Sequence, residues 1–197
     1  TFEGAEASVE IMILHATKGY CPPFSVQDYA VQVYETNLDP AFRTLLFDSK
    51  KQKVNNKPNG GTTRATVTVR TVNLVMPDRF NDLDELPYNH RLEVCDGNGP
   101  VDALAGALKR ALVPSHPTLD DLELIDYKVR ILDPESATAA ATRVMIEFRD
   151  RETEKTWTTV SVDRNVISAS LNALVDGFEY ALVEHASVCA LCDDFFD

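Results

Sequence analysis

The chain has 197 residues, 44% of them hydrophobic and 25% charged, with a formal net charge of −12 and a pI near 4.7. That length suits one or two small domains with a real core. The acidic balance repels phosphate backbones and argues against a nucleic-acid partner, and no apolar run reads as long enough to cross a bilayer.

The chain begins Thr1-Phe2-Glu3-Gly4, with no Met, basic segment or signal sequence. The expectation is therefore a piece of a longer polypeptide, cytoplasmic or organellar, whose compartment its own start does not reveal. Residues 2–18 read as a helix. Glu3, Glu6 and Glu10 favour its N-terminal half through the macrodipole, Val9, Met12, Ile13 and Ala16 form its apolar stripe, and Gly19 followed by Pro22-Pro23 stops it. Residues 1–21 are assigned as a linker helix and 22–197 as the domain proper.

The first strand is read at 24–35, from Phe24 through Asp28-Tyr29 to Glu35. A polar loop follows over 36–62, within which Phe42, Leu45, Leu46 and Phe47 suggest one local turn or strand end. A second strand spans 64–75, a second loop 76–90 and a third strand 91–95. Loops of this length are usually functional or disordered. Gly97-Asn98-Gly99-Pro100 turns into a helix at 100–112, with Pro100 suited to its first turn and Val101, Leu104, Ala105, Leu108 and Leu112 as its apolar stripe. Strands then recur at 122–133, 140–149 and 156–162, with a turn at Asp133-Pro134-Glu135-Ser136. A helix at 166–186 buries Ile167, Leu171, Leu174, Val175, Phe178 and Leu182.

The second half repeats the first. Asp28-Tyr29 recurs as Asp126-Tyr127, 98 residues on; Thr63-Arg64 recurs as Thr142-Arg143, and Asn98 before a helix recurs as Asn165 before a helix. The anchors keep one order, so unit one (24–113) and unit two (122–186) read as an internal duplication. The predicted fold is α+β: two duplicated βββα units with pseudo-twofold symmetry, each three-stranded antiparallel sheet covered by a helix. Remaining edge strands commonly close against a second copy, which predicts a homodimer.

No catalytic constellation emerges. His15, His90, His116 and His185 are isolated, and no nucleophile elbow or Walker loop is present. Cys95 reads as a buried free thiol, and Cys189 and Cys192 as tail thiols without a second pair. Gly97-Asn98-Gly99 follows a strand and opens a helix, but Asp96 and Asp102 flank it and oppose a phosphate. The same turn can receive a zwitterion: helix N–H groups favour a carboxylate and Asp102 an ammonium. The alternative is a plain helix start with Asp102 exposed.

Gly97-Asn98-Gly99-Pro100-Val101-Asp102, Asp126-Tyr127-Lys128-Val129-Arg130, Thr142-Arg143-Val144 and Asn165-Val166-Ile167-Ser168 together resemble the C-terminal regulatory domain of 2-isopropylmalate synthases and citramalate synthases, with a lean to the citramalate branch. Phe2-Glu3-Gly4-Ala5-Glu6 resembles that family's linker helix. The resemblance implies a dimer of duplicated units that binds a branched-chain amino acid, leucine or isoleucine, at its interface for feedback inhibition. It implies effector contacts at Gly97, Gly99, Val101, Asp102, Tyr127, Ile131, Thr138, Val166 and Ser168. The family's glycine-bearing turn after the first strand of unit two is here Pro134-Glu135-Ser136-Ala137-Thr138, a departure. Whole enzymes of the family condense acetyl-CoA with a 2-oxo acid using a divalent metal in a separate barrel domain, so this chain is expected to be catalytically silent alone and to hold no cofactor itself. The alternative of another class is a dimerisation module that has lost effector binding.

Overall fold

The computed structural model describes residues 4–34, 62–72, 88–133, 135 and 139–193. The elements, in order, are α1 (Glu6–Ala16), β1 (Phe24–Tyr34), β2 (Thr62–Val72), β3 (Tyr88–Gly97), α2 (Pro100–Leu112), a 3-10 turn (Pro117–Asp121), β4 (Leu122–Ile131), β5 (Thr142–Asp150), β6 (Thr156–Asp163) and α3 (Val166–Asp193). The two antiparallel sheets have the orders β1-β2-β3 and β4-β5-β6, so the duplicated βββα architecture is present. Strands β2 and β3 begin earlier than the sequence pattern indicates, at Thr62 and Tyr88, and α3 runs on to Asp193. The readings for Phe42 to Phe47 and most of the two loops lie outside the described residues, as do Pro134, Ser136, Ala137, Thr138 and the side chains of Cys189 and Cys192.

The duplication extends to an irregularity. β1 pairs with β2 as Val26↔Val69 and then Asp28↔Thr68, leaving Gln27 as an extra residue. β4 pairs with β5 as Leu124↔Phe148 and then Asp126↔Glu147, leaving Ile125 extra. Gln27 and Ile125 are 98 positions apart, the same offset as the Asp-Tyr pairs. A bulge inserts one residue and reverses the facing of everything after it. Tyr29 therefore lies beside Val67, and Tyr127 beside Ile146, on the buried side of each sheet.

Helix α2 lies over β2 and β3, and α3 over β5 and β6. The stripe Leu104, Leu108 and Leu112 is fully buried together with Ala103, Ala107 and Ala111, and Leu171, Leu174 and Phe178 are buried on α3. Ala65, Val67, Val69, Val144, Ile146 and Phe148 meet them from the middle strands, in one continuous core. The outer strands are less covered. Val129 and Ile131 share the buried side with Tyr127, yet remain 46% and 53% exposed because the helix stops short of them.

Two expectations are corrected. Helix α1 does not bury Val9, Met12 and Ile13; Met12 and Ile13 are each 60% exposed, and Ala7, Ser8 and Ile11 face inward instead. The reason is what α1 packs against: the outer edge of β6 and a flank of α3. Ser8 Oγ accepts the Val160 N–H at 2.8 Å, so a polar residue is needed where the sheet edge would otherwise be unpaired. Likewise, residues 166–186 of α3 are long and apolar enough to cross a membrane by length and composition, contrary to the reading that no run approaches this. Here the segment is the core helix of unit two, and an apolar helix buried in a core meets the same criterion.

Phe148 anchors unit two. It stacks on Trp157 at 6.0 Å and meets Phe178 edge-on at 6.2 Å, within the range of favourable ring pairs. A Cβ at Gly177 would sit 2.1 Å from the Phe148 ring. Alanine at a helical glycine normally gains roughly 1 kcal/mol, but here overpacking reverses the sign. Gly177→Ala is expected to lose about 1–3 kcal/mol in urea unfolding. Gly106→Ala, whose Cβ would meet the rotatable Cys95 Sγ at 2.6 Å, is expected to lose less.

Candidate functional site

The two helix starts that the duplication makes equivalent are chemically different. At α3, Asn165 Oδ1 accepts the Ile167 N–H at 2.9 Å, and Asp163 Oδ1 accepts the Asn165 N–H at 2.7 Å. Asn165 thus caps the first turn in the usual way. Two serines follow, and each meets a tyrosine from an outer strand. The Tyr127 hydroxyl is 2.9 Å from Ser170 Oγ, and the Tyr29 hydroxyl is 2.8 Å from Ser168 Oγ. Ser170 Oγ also lies 2.6 Å from the Val166 carbonyl, to which it donates. Its single hydrogen is thereby used, so Tyr127 is the donor to Ser170. The bulged tyrosines of both units therefore converge on one helix start, and Tyr29 crosses from unit one to reach it.

At α2 the positions corresponding to Ser168 and Ser170 are Asp102 and Leu104. Gly99 is the N-cap, in extended conformation, and Pro100 follows without an N–H. Asp102 Oδ2 accepts the Asn98 N–H at 2.8 Å and the Asn98 side-chain amide at 3.2 Å. The aspartate thus ties the turn to the helix by reaching backwards, in the manner of a capping box. A Cβ at Gly97 would lie 2.5 Å from the Ala103 backbone nitrogen, so this glycine is required for the strand end to abut the helix. Nothing crowds Gly99. Asp96 holds Arg64 through two bonds of 2.7 and 3.0 Å. This partner is the largest cause of a carboxyl held below its ordinary value, and burial opposes it.

A cleft of about 280 Å³ opens between the units. Asp96, Asp102, Gly106 and Lys109 line it from unit one, and Leu122, Leu124, Phe148 and Phe178 from unit two. Lys109 Nζ reaches across to the Asp120 carbonyl and, at 3.2 Å, to the Leu122 carbonyl. The cleft thus has an apolar floor with charges of both signs around it. Among the described residues, no group of three His, Cys, Asp or Glu is placed to hold a metal ion. Cys95 is a free thiol at the cleft wall, half-buried.

The predicted site residues fall into three places. Gly97, Gly99, Val101 and Asp102 gather at the α2 start, with Asp102 on the cleft. Tyr127, Val166 and Ser168 gather at the α3 start. Ile131 ends β4, half-exposed, and Thr138 lies outside the described residues. Sequence reasoning passed over Tyr29, Ser170 and Leu124. The first was visible as the partner of Tyr127 in the repeat, and the second as the Ser168-x-Ser170 pair; Leu124 carried no signal beyond being apolar.

Ser170 is fully buried, so removing the Tyr127 hydroxyl leaves its oxygen with one bond fewer. Tyr127→Phe is expected to cost about 0.5–1.5 kcal/mol, measured by chemical denaturation. Tyr29→Phe is expected to cost less, because Ser168 is only partly buried.

The sequence profile described as the LeuA allosteric (dimerisation) domain matches residues 4–182. The chain is 37% identical over 183 residues to the (R)-citramalate synthase of a Synechocystis species, covering 92% of this chain and 27% of that protein. It is 34% identical over 181 residues to the (R)-citramalate synthase of Geobacter sulfurreducens, covering 92% of this chain and 28% of that protein. The 2-isopropylmalate synthase of Aquifex aeolicus is 32% identical over 87 residues, covering 44% of this chain and 15% of that protein. The chain thus spans little more than a quarter of the length of the first two. Two βββα units that send their tyrosines to one shared helix start, matched by the profile over residues 4–182, belong to the LeuA allosteric (dimerisation) domain family, and the chain is a regulatory dimerisation domain.

Proposed function

We propose that the chain is the feedback-sensing domain of an acyltransferase that condenses acetyl-CoA with a 2-oxo acid, and that its effector is a branched-chain amino acid, isoleucine or leucine. The parent would be a citramalate synthase or a 2-isopropylmalate synthase, with acetyl-CoA and a divalent metal bound outside this chain. One observation carries the reading: the cleft between the units, apolar below and charged at its rim. Its volume of about 280 Å³ is at the small end for ligand sites, which suits an amino acid. Leu124, Phe148 and Phe178 offer the side chain an apolar floor. Asp102 offers one carboxylate oxygen to an ammonium while the other holds Asn98.

The homodimer belongs to the same reading. Val129 and Ile131 leave an exposed apolar face at the end of the outer strand of unit two, a surface that a second copy would bury. A second reading, a dimerisation module without an effector, draws on the same hydrogen bonds. Asp102 is already engaged by Asn98 and Ser168 by Tyr29, so neither needs a ligand to be satisfied.

Calorimetry and thermal-shift measurements with leucine, isoleucine and valine separate the two readings. The proposal expects heat and stabilisation with at least one of the three. A dimer by light scattering that ignores all three favours the second reading. Asp102→Asn keeps an acceptor for the Asn98 N–H but removes the charge. It is expected to weaken effector binding by about 1.5–3 kcal/mol, roughly ten- to a hundredfold, with stability nearly unchanged. Unaltered affinity in this variant would leave Asp102 with only its turn-forming role.

A further inference from the structure

The contact between α1 and α3 holds two acids of α3, Asp176 and Glu179, against polar groups from α1 and the turn after it. Ser8, Asp176, Glu179, His15 and Tyr20 form one polar cluster in an otherwise apolar seam. Glu179 is 1% exposed, and its Oε1 lies 2.8 Å from His15 Nε2 and 2.7 Å from the Tyr20 hydroxyl. Asp176, one turn before it on the same face of α3, has its Oδ2 3.2 Å from Ser8 Oγ. Ser8 Oγ also accepts the Val160 N–H at 2.8 Å and lies 3.3 Å from the Val160 carbonyl. A single serine thus joins α1 to the β6 edge and to α3.

The charges in this seam do not balance. Two carboxylates three residues apart on a helix repel when both are ionised, and burial strengthens the repulsion. The groups facing Asp176 are Ser8 and His15 from α1 and Glu179 from its own helix, while β6 brings the Val160 backbone. His15 supplies a positive charge only when protonated, and it pairs with Glu179, not Asp176. Glu6 and Glu10, also on α1, act on Tyr180.

We propose that this seam is a proton-dependent latch: α1 seats on α3 while Asp176 carries a proton, and loosens when Asp176 ionises. Burial, with a smaller contribution from the Glu179 charge, pushes the Asp176 carboxyl up to about 6. The same burial, with the bond to Glu179, pushes the Tyr20 hydroxyl up, so it stays a donor. The sign follows from linkage. A carboxyl whose value is raised on docking favours docking fully at low pH, and that advantage is lost as pH rises through the docked value. The latch therefore tightens toward pH 5 and slackens toward pH 8. Helix α3 is continuous from Val166 to Asp193, and at 1.5 Å per residue Ser168 and Asp176 are about 12 Å apart along it. The clamped helix start and the latch therefore share one helix.

Hydrogen exchange of the 197-residue chain, read on peptides from residues 6–20 and corrected for the intrinsic pH dependence of exchange, tests this. Protection of α1 is expected to fall about tenfold between pH 5 and pH 8, while protection of residues 100–112 in α2 holds. Asp176→Asn, which cannot ionise, is expected to flatten the α1 profile. A flat profile in the parent protein overturns the proposal. So does a slope that persists in Asp176→Asn and disappears in His15→Gln, which would assign the titration to His15. If Asp176→Asn does not fold, the carboxyl carbon of Asp176 followed by NMR in the parent protein decides: a midpoint near 6 supports the latch, and one near the ordinary aspartate value overturns it.

Discussion

The facing of one tyrosine in each outer strand governs how the units fit together. An uninterrupted β1 or β4 would carry the tyrosine of its Asp-Tyr pair to the solvent side of the sheet. The extra residue at Gln27 or Ile125 turns it inward and puts the aspartate outside, where Asp28 bonds Thr68 at 2.9 Å and Asp126 pairs with Lys128. The inward tyrosines reach the start of α3, one from its own unit and one from the other. Without the phase change neither hydroxyl could meet a serine, and the join between the units would lose the bond between Tyr29 and Ser168.

The fold was legible because each level of the sequence agreed with the next. Alternation in Tyr127, Val129 and Ile131 marked a strand, the spacing of Leu104, Leu108 and Leu112 marked a helix, and the ordered recurrence of Asp-Tyr, Thr-Arg and Asn marked a duplication. The bulge was also legible in principle. Phe24 and Val26 keep one parity and Tyr29, Val31 and Val33 the other, so the apolar phase slips between positions 26 and 29. Helix α1 was misread for a different reason. Its sequence offers two apolar faces, and which one is buried depends on a partner distant in sequence, the β6 edge, whose unpaired N–H requires the Ser8 face. Local periodicity carries no information about that requirement.

The candidate site was legible in part. The turn at Gly97–Asp102 stood out by composition, and the structure adds that Gly97 and Asp102 each have a job in forming the turn. Tyr29 was visible as the repeat's counterpart of Tyr127, but its partner was not: only the fold brings it to Ser168. Leu124 and Phe178 were hidden because a cleft wall and a core wall have the same composition. The acid cluster behind α1 was invisible as well, since Asp176 and Glu179 sit on a helix whose other positions read as an ordinary apolar stripe.

A duplicated chain begins with two of everything, and this one has kept two copies of its frame but only one of its polar joint. The start of α3 carries Ser168 and Ser170, whereas the start of α2 carries Asp102 and Leu104 in their places. The two halves have therefore become non-interchangeable: one helix start is a hydroxyl-lined socket for tyrosines from both units, and the other is a glycine-built turn secured by a carboxylate. A small molecule that needs the second kind of surface meets it once per chain and twice per dimer, so its saturating stoichiometry counts subunits, not repeats.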